Sequence, residues 1–245
     1  MKKLLLIIDP QNDFVDPRGS LYVPGAENGI MAIVDLVKNA RFLNIDDIAI
    51  TQDTHHKYHI AHPEYWDPRP EAFSTISAED YKAGKYHPLL YPPTMDKPVD
   101  PFTLQYLESL PGPLTIWPEH CLLGSWGWAF PDTLVSALHN WEISIRPQHN
   151  FKVYQKGYIS NFEAFSLFTK SGELDYRPYA SLDVFADYDE IIICGFAKDV
   201  CVANTVKDMK DSGLYEGKLT IFDEGMASIN ENSPMMSTFD SLKRL

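Results

Sequence analysis

Long apolar runs, cysteine and positive charge are all scarce in this chain. No apolar stretch approaches the roughly 20 residues of a membrane-spanning helix, so a helical span is not expected. The one N-terminal candidate, MKKLLLIIDPQND, sets two lysines before an apolar run, as a secretory leader would. Asp9 closes that run and no small-residue cleavage site comes after it, so it reads as a first strand. Three cysteines in 245 residues do not make a disulfide framework, and a reducing, cytoplasmic setting is expected. Lysine and arginine number 21 against 34 aspartates and glutamates, a net charge of −13, which argues against a nucleic-acid or anionic-membrane surface. No G-x-G-x-x-G follows the first strand and no G-x-S-x-G occurs, so the signatures of a dinucleotide fold and of a serine hydrolase are both missing. There is no internal repeat.

What is present supports one substantial core. Hydrophobic residues make up 44% of the chain, and a single domain over residues 1–245 is expected. Short apolar, β-branched runs at 3–8, 48–51, 114–117, 151–154, 191–194 and 219–222 read as buried strands, with 143–145 a further extended run. Apolar stripes at helical spacing mark 27–40, 132–141 and the segment after residue 199; 162–168, 182–188 and the tail around Phe239 suggest shorter helices. The alternation predicts an α/β fold: a three-layer, mostly parallel six-stranded sheet with helices on both faces, Rossmann-like in outline. Residues 60–113 break the alternation. This insert is rich in proline and aromatics and reads as a packed lid or oligomer contact containing one or two short helices, one of them at 103–109.

Chemistry is expected where parallel strands end. The stretch DEIIICGFAKDVCVANTVKDM runs from a strand through a turn into a helix, with Asp199 as the expected N-cap. Cys201 then sits in the first turn, among unpaired N–H groups that favour a thiolate. Asp9 follows the first strand and is either a turn residue or a general base for that thiol. Lys156 is either solvated or an ammonium that stabilises both anions, completing a nucleophile, base and charge partner. Asp53-x-His55 is either a polar loop or two ligands of a divalent ion, with His120 as a third and open positions left over. His59 and His62 are weaker candidates, and Cys121 and Cys194 read as packing groups. Phe14, Trp66 and Trp126 are core or rim aromatics, or platforms for a planar substrate.

Taken together, IIDPQNDFVDPRGSLYVPGA, TQDTHHKYH, WPEHCLLGSWG, YQKG and GFAKDVCVANT resemble the nicotinamidase and isochorismatase-like cysteine hydrolase family, in the expected order over nearly the whole chain. The resemblance implies an isochorismatase-like hydrolase fold and a catalytic triad of Asp9, Lys156 and Cys201. It also implies metal ligands at Asp53, His55 and His120, a set characteristic of the nicotinamidase branch. The ion is divalent, with Zn placed first and Fe or Mn suited to the same donors. A cis peptide between Phe196 and Ala197 would turn the N–H groups of Ala197 and Cys201 toward a developing oxyanion. Phe14 matches an aromatic of the family's nicotinamide pocket, and Trp66 is placed there by analogy. The implied reaction converts nicotinamide to nicotinic acid and ammonia through a cysteine thioester, serving pyridine nucleotide (NAD) salvage. The alternatives are another small amide, carbamoyl or ureido substrate, or a non-catalytic small-molecule-binding protein on the same scaffold. A homo-oligomer is possible by analogy with relatives. The chain departs from the family at Thr54, where a tryptophan is usual, and at Lys198-Asp199-Val200, where threonine-aspartate-tyrosine is usual.

Overall fold

The computed structural model describes residues 1–90, 100–144, 150–168 and 179–245. Its centre is a six-stranded sheet in which every neighbouring pair is parallel. In chain order the strands are β1 (Lys3–Ile8), β2 (Asp47–Asp53), β3 (Lys152–Lys156), β4 (Glu190–Gly195), β5 (Leu219–Met226) and β6 (Lys243–Arg244). In space they run β6-β5-β4-β1-β2-β3. The two central strands, β1 and β4, carry Leu5, Leu6, Ile7, Ile8, Ile191 and Ile193, all without exposure. Such runs, apolar on both faces, belong in a parallel sheet covered on both sides.

The longer helices are α1 (Ala26–Asn39), α2 (Pro101–Ser109), α3 (Asp132–Ser144) and α4 (Ala203–Asp211); α2 belongs to the 60–113 insert and packs in its separate core. The stripe Ile30, Ile33, Val34 and Val37 buries α1 against β5 and α3. Val202, Val206 and Met209, four and three residues apart, bury the matching face at α4. All these strands point one way, so Asp9, Asp53, Lys156 and the turn after Gly195 meet at one edge. In the ladders Asp53 is paired with Lys156 and Ile8 with Gly195. Gly195 is required at its place: φ is +123°, and a Cβ there would fall 2.0 Å from the Ile8 carbonyl oxygen.

Several elements differ from the sequence expectation. Residues 114–117 do not join the main sheet. Leu114–Thr115 pairs antiparallel with Thr75–Ile76 in a separate ladder, and β6 supplies the sixth strand instead. A Lys-Arg strand two residues long has no apolar pattern to reveal it. Ile143 and Ser144 finish α3 rather than starting an extended run, and residue 145 lies outside the described residues. Residues 162–168 and 182–188 are turns, not helices. The three phenylalanines of the first segment serve different surroundings: Phe162 packs edge-on to Tyr106, and Phe168 to Phe185. No single helical face was being written.

The 60–113 insert packs as its aromatics suggested, residues 91–99 lying outside the described set. Ile60, Tyr65, Trp66, Ile76, Tyr81, Tyr106 and Leu107 form a second core with Leu114, Ile116 and Phe162. A short helix, Ala78–Lys82, starts on a Ser77–Asp80 capping box. Asp100 caps α2 by accepting the Thr103 N–H at 2.8 Å, with Pro101 in the first turn.

Candidate active site

Asp9, Lys156 and Cys201 come together in a nearly dry corner; they are 0%, 1% and 8% exposed. Lys156 Nζ lies 2.9 Å from Asp9 Oδ2 and 3.1 Å from Asp53 Oδ1. It also donates to the Ala164 carbonyl at 3.1 Å and to Cys201 Sγ at 3.6 Å. The Thr51 hydroxyl donates to Asp9 Oδ1 at 2.5 Å, and Thr51 Oγ1 accepts the Asp9 N–H at 3.0 Å. Asp53 Oδ1, the Ala164 carbonyl and Cys201 Sγ are thus the ammonium's hydrogen-bond acceptors. Asp9 Oδ2 touches the ammonium without an aligned hydrogen bond and keeps a free lone pair.

Charge is tightly managed here. Burial would lower the Lys156 pKa, but the Asp53 and Asp9 carboxylates outweigh it and hold it well above the ordinary lysine range. Burial raises Asp9, with the Asp53 charge adding and Lys156 opposing. Burial also pushes the Cys201 thiol well up, and Asp9 and Asp53 add to that against Lys156. Desolvation beside two carboxylates therefore works against the thiolate that the N–H groups of the turn favour, which leaves a proton on sulfur for Asp9 to take. Asp199 is not a helix cap. Lys198–Val202 is a wide π-type turn preceding α4, and the Asp199 carboxylate accepts the Ile229 and Asn230 N–H groups at 2.9 and 2.8 Å. The Phe196–Ala197 peptide is cis. The Val200 and Val202 N–H groups donate to the Ala197 carbonyl, and that of Lys198 to Ala227.

A histidine cluster adjoins this corner through Asp53. His120 Nε2 lies 3.3 Å from Asp53 Oδ2 and His55 Nε2 3.6 Å from Asp53 Oδ1. His120 Nδ1 is 2.8 Å from the Pro118 carbonyl, which turns the opposite nitrogen inward. His59, His62 and Glu163 complete the group. His55, His62 and His120 can offer donors to one ion, and so can His55, His59 and Glu163. His55 Nε2, both nitrogens of His62 and Glu163 Oε2 are buried without hydrogen-bond partners. Orphaned donors of this kind fit a cation, since buried polar atoms ordinarily find partners. Net charge agrees: the carboxylates of Asp9, Asp53 and Glu163 face one buried ammonium, leaving two negative charges, the charge of one divalent ion. Without a metal, burial would lower His55, but Asp53 and Glu163 raise it to about 9. Burial and the nearby His55 hold His59 down to about 3, and burial lowers His62 as well.

A small cavity is lined by the apolar side chains Phe14, Leu21, Trp117, Phe165, Val200 and Ile229 together with Cys201, Ala197, Asp53, His120 and Glu163. Phe14 stands edge-on to His120 at 5.6 Å between ring centroids. Trp66 is not there. It is 2% exposed in the second core, where its Nε1–H donates to the Ile60 carbonyl at 2.8 Å. Trp126 carries the Arg18 guanidinium over its ring at 4.9 Å, outside the cavity lining. Trp117 and Phe165 are the aromatics that sequence reasoning missed, together with Glu163 and the stronger placement of His62. An acid flanked by Phe162 and Phe165 was the available signal for Glu163. Thr54 accepts the Trp128 Nε1–H at 2.9 Å, which ties its strand end to the 125–129 loop.

No family model matches the chain. It is similar to the nicotinamidase of Saccharomyces cerevisiae, with 27% identity over 214 residues, 86% of this chain and 82% of the relative. Among solved structures, the yeast nicotinamidase bound to the inhibitor nicotinaldehyde superposes with a TM-score of 0.69 at 22% identity, covering 99% of both chains. The pyrazinamidase of Pyrococcus horikoshii in complex with zinc superposes with a TM-score of 0.57 at 16% identity, covering 100% of this chain and 99% of the other. At these identities the superpositions establish the fold.

Proposed function

We infer that the chain is a member of the nicotinamidase and isochorismatase-like hydrolase family, to whose nicotinamidases it is similar, and we propose that it hydrolyses nicotinamide to nicotinic acid and ammonia through a thioester on Cys201. The observation that carries the reading is the convergence of Cys201, Lys156 and Asp9 at an aromatic-walled cavity. The planar ring would lie between Phe14 and the Trp117–Phe165 side, with its amide carbon over Cys201 Sγ.

The proton inventory comes from the raised thiol and the free Asp9 oxygen. Asp9 Oδ2 takes the Cys201 proton as sulfur bonds to the amide carbon, so no standing thiolate is needed. The N–H groups of Ala197 and Cys201 are the proposed donors to the developing oxyanion. Asp9 returns its proton to the departing nitrogen, ammonia leaves, and a thioester remains. Asp9 then takes a proton from water as the water oxygen attacks the thioester carbon. That proton goes back to sulfur as the acid leaves. Lys156 keeps its charge throughout and holds the two carboxylates and the sulfur in register. Asp53, His55 and His120, with His62 and Glu163 in reach, would hold a divalent ion, for which zinc fits the nitrogen and oxygen donors. When bound, that ion supplies a Lewis-acidic coordination position for a ring nitrogen of the substrate.

Ammonia release from nicotinamide by the zinc-loaded protein tests the reading. Turnover is expected, and Cys201→Ala should lower it by about 10⁴-fold or more while leaving the fold intact. Turnover of other small amides, carbamoyl or ureido compounds but not nicotinamide would redirect the substrate. Residual activity near the parent rate in Cys201→Ala would end the thioester scheme.

A further inference from the structure

Asp13 is absent from the lining of the catalytic cavity, and no step above uses it. It is nonetheless a buried carboxylate with both oxygens engaged by backbone. Oδ1 accepts the Ser20 N–H at 2.8 Å and Oδ2 accepts the Cys121 N–H at 2.7 Å. Cys121 is a junction: it follows His120, and its carbonyl accepts the His55 N–H at 3.0 Å. The Leu123 N–H in turn donates to the His55 carbonyl at 3.0 Å. The 120–123 segment is therefore clipped onto His55, with Asp13 as its charged anchor. Cys121 holds φ at +49°, a left-handed conformation that a non-glycine residue keeps only when its surroundings fix it.

The other end of the same carboxylate reaches the substrate wall. Ser20 precedes Leu21, and Phe14 follows Asp13; both Leu21 and Phe14 line the cavity. Gly127 closes the back of the arrangement. Its carbonyl accepts the Asp13 N–H at 3.0 Å, and a Cβ at Gly127 would fall 2.1 Å from Asp13 Oδ2. A side chain at 127 and the carboxylate cannot both occupy that space.

We propose that Asp13 is a positioning residue that sets His55 and His120 against the Phe14–Leu21 wall, so that metal affinity and substrate binding both depend on a carboxylate that touches neither metal nor substrate. The inference rests on reading the histidine cluster as a metal site. Partners behind metal ligands typically change affinity by about 10–100-fold when removed.

Two variants attack the carboxylate from opposite sides. Asp13→Asn keeps the shape but turns one acceptor into an NH₂ that must face a backbone N–H. Gly127→Ala pushes the carboxylate out of place without altering the two residues whose N–H groups it accepts. Zinc affinity, measured by competition with a chelating dye on protein whose fold is checked by circular dichroism, should fall about 10–100-fold in each. KM for nicotinamide should rise in both. The double variant should be no weaker than the worse single one, because both remove the same contact. A merely stabilising role would lower Tm and leave zinc affinity of the folded protein unchanged. Zinc binding within about two-fold of the parent in Gly127→Ala, with or without a folded Asp13→Asn, overturns the proposal, as would fully additive losses. A parent chain that binds no zinc would bring down the metal-site reading and this inference together; a parent that binds zinc beside indifferent variants would bring down this inference alone.

Discussion

Asp9, Asp53 and Lys156 end or directly follow strands of one parallel sheet, whereas His59, His62, His120 and Glu163 come from connections outside it. The first group is largely satisfied within itself: the ammonium bonds Asp53, the Thr51 hydroxyl bonds Asp9 Oδ1, and Asp9 Oδ2 keeps only its ion pair with Lys156. The second is left wanting, with buried nitrogens and a carboxylate oxygen that find no protein partner. One half of the site is finished when the chain folds, and the other is complementary to something that must still arrive. Asp53 belongs to both, with one oxygen toward Lys156 and the other toward His120.

That contrast predicts opposite responses to truncation. Lys156→Ala removes the one ammonium between two buried carboxylates and should cost about 3–5 kcal/mol of unfolding free energy along with activity. Denaturant melts read the first effect, and a loss below about 1 kcal/mol would mean that the strand-end group is not held by its charges. On the histidine side, His62→Leu should weaken zinc binding by about ten-fold or more, yet leave the metal-free protein no less stable. Both His62 nitrogens are unpartnered, so replacing the ring strands no hydrogen bond. If His62→Leu destabilised the chelator-treated protein as Lys156→Ala does, the distinction between the halves would fail.

A smaller effect concerns the sulfur. Burial with Asp9 and Asp53 nearby raises the Cys201 pKa, so less thiolate exists at any given pH than for an ordinary cysteine. Alkylation of Cys201 by iodoacetamide should be about ten-fold or more slower near pH 7.5 than that of a free thiol, whose pKa is about 8.5. Its rate should still be climbing above pH 9, where the free thiol levels off. A plateau below pH 8 would show a resting thiolate and remove the need for Asp9 as base in the first step.

The same division explains which site residues were legible in the sequence. A run such as Leu4-Leu5-Leu6-Ile7-Ile8 specifies a central parallel strand, and parallel strands bring the residues at their C-terminal ends to one edge. Pattern therefore placed Asp9, Asp53 and Cys201 at that edge, while the roles assigned to them came from the family resemblance. Lys156 needed only that its strand pair in register with β2. His120 was found for an incomplete reason. The strand expected before it lies in a separate ladder, and its placement comes from the single bridge of His55 with Leu122 and from the Pro118 carbonyl. Glu163 and Phe165 lie in an irregular segment, where no period announces which side chain turns inward. Trp66 was misplaced because aromatic content marks packing without saying which of two cores is packed.

Trp66 offers the finest test of where the site stops. Its ring lies against Tyr65, Tyr81 and Tyr86, and its one polar atom is matched to the Ile60 carbonyl. Ile60 lies between His59 and His62, so the second core also backs the segment that carries two of the cluster's histidines. Trp66→Phe should lose that hydrogen bond and part of the ring's packing, about 1 kcal/mol or somewhat more in a denaturant melt. KM for nicotinamide should stay within about two-fold of the parent value, because Phe14, Trp117 and Phe165 wall the cavity and Trp66 does not. Trp117→Ala, by contrast, should raise KM with a smaller stability loss, since Trp117 is only partly buried. If the two substitutions affected KM alike, the second core would be acting on the substrate and not only on the segment behind it.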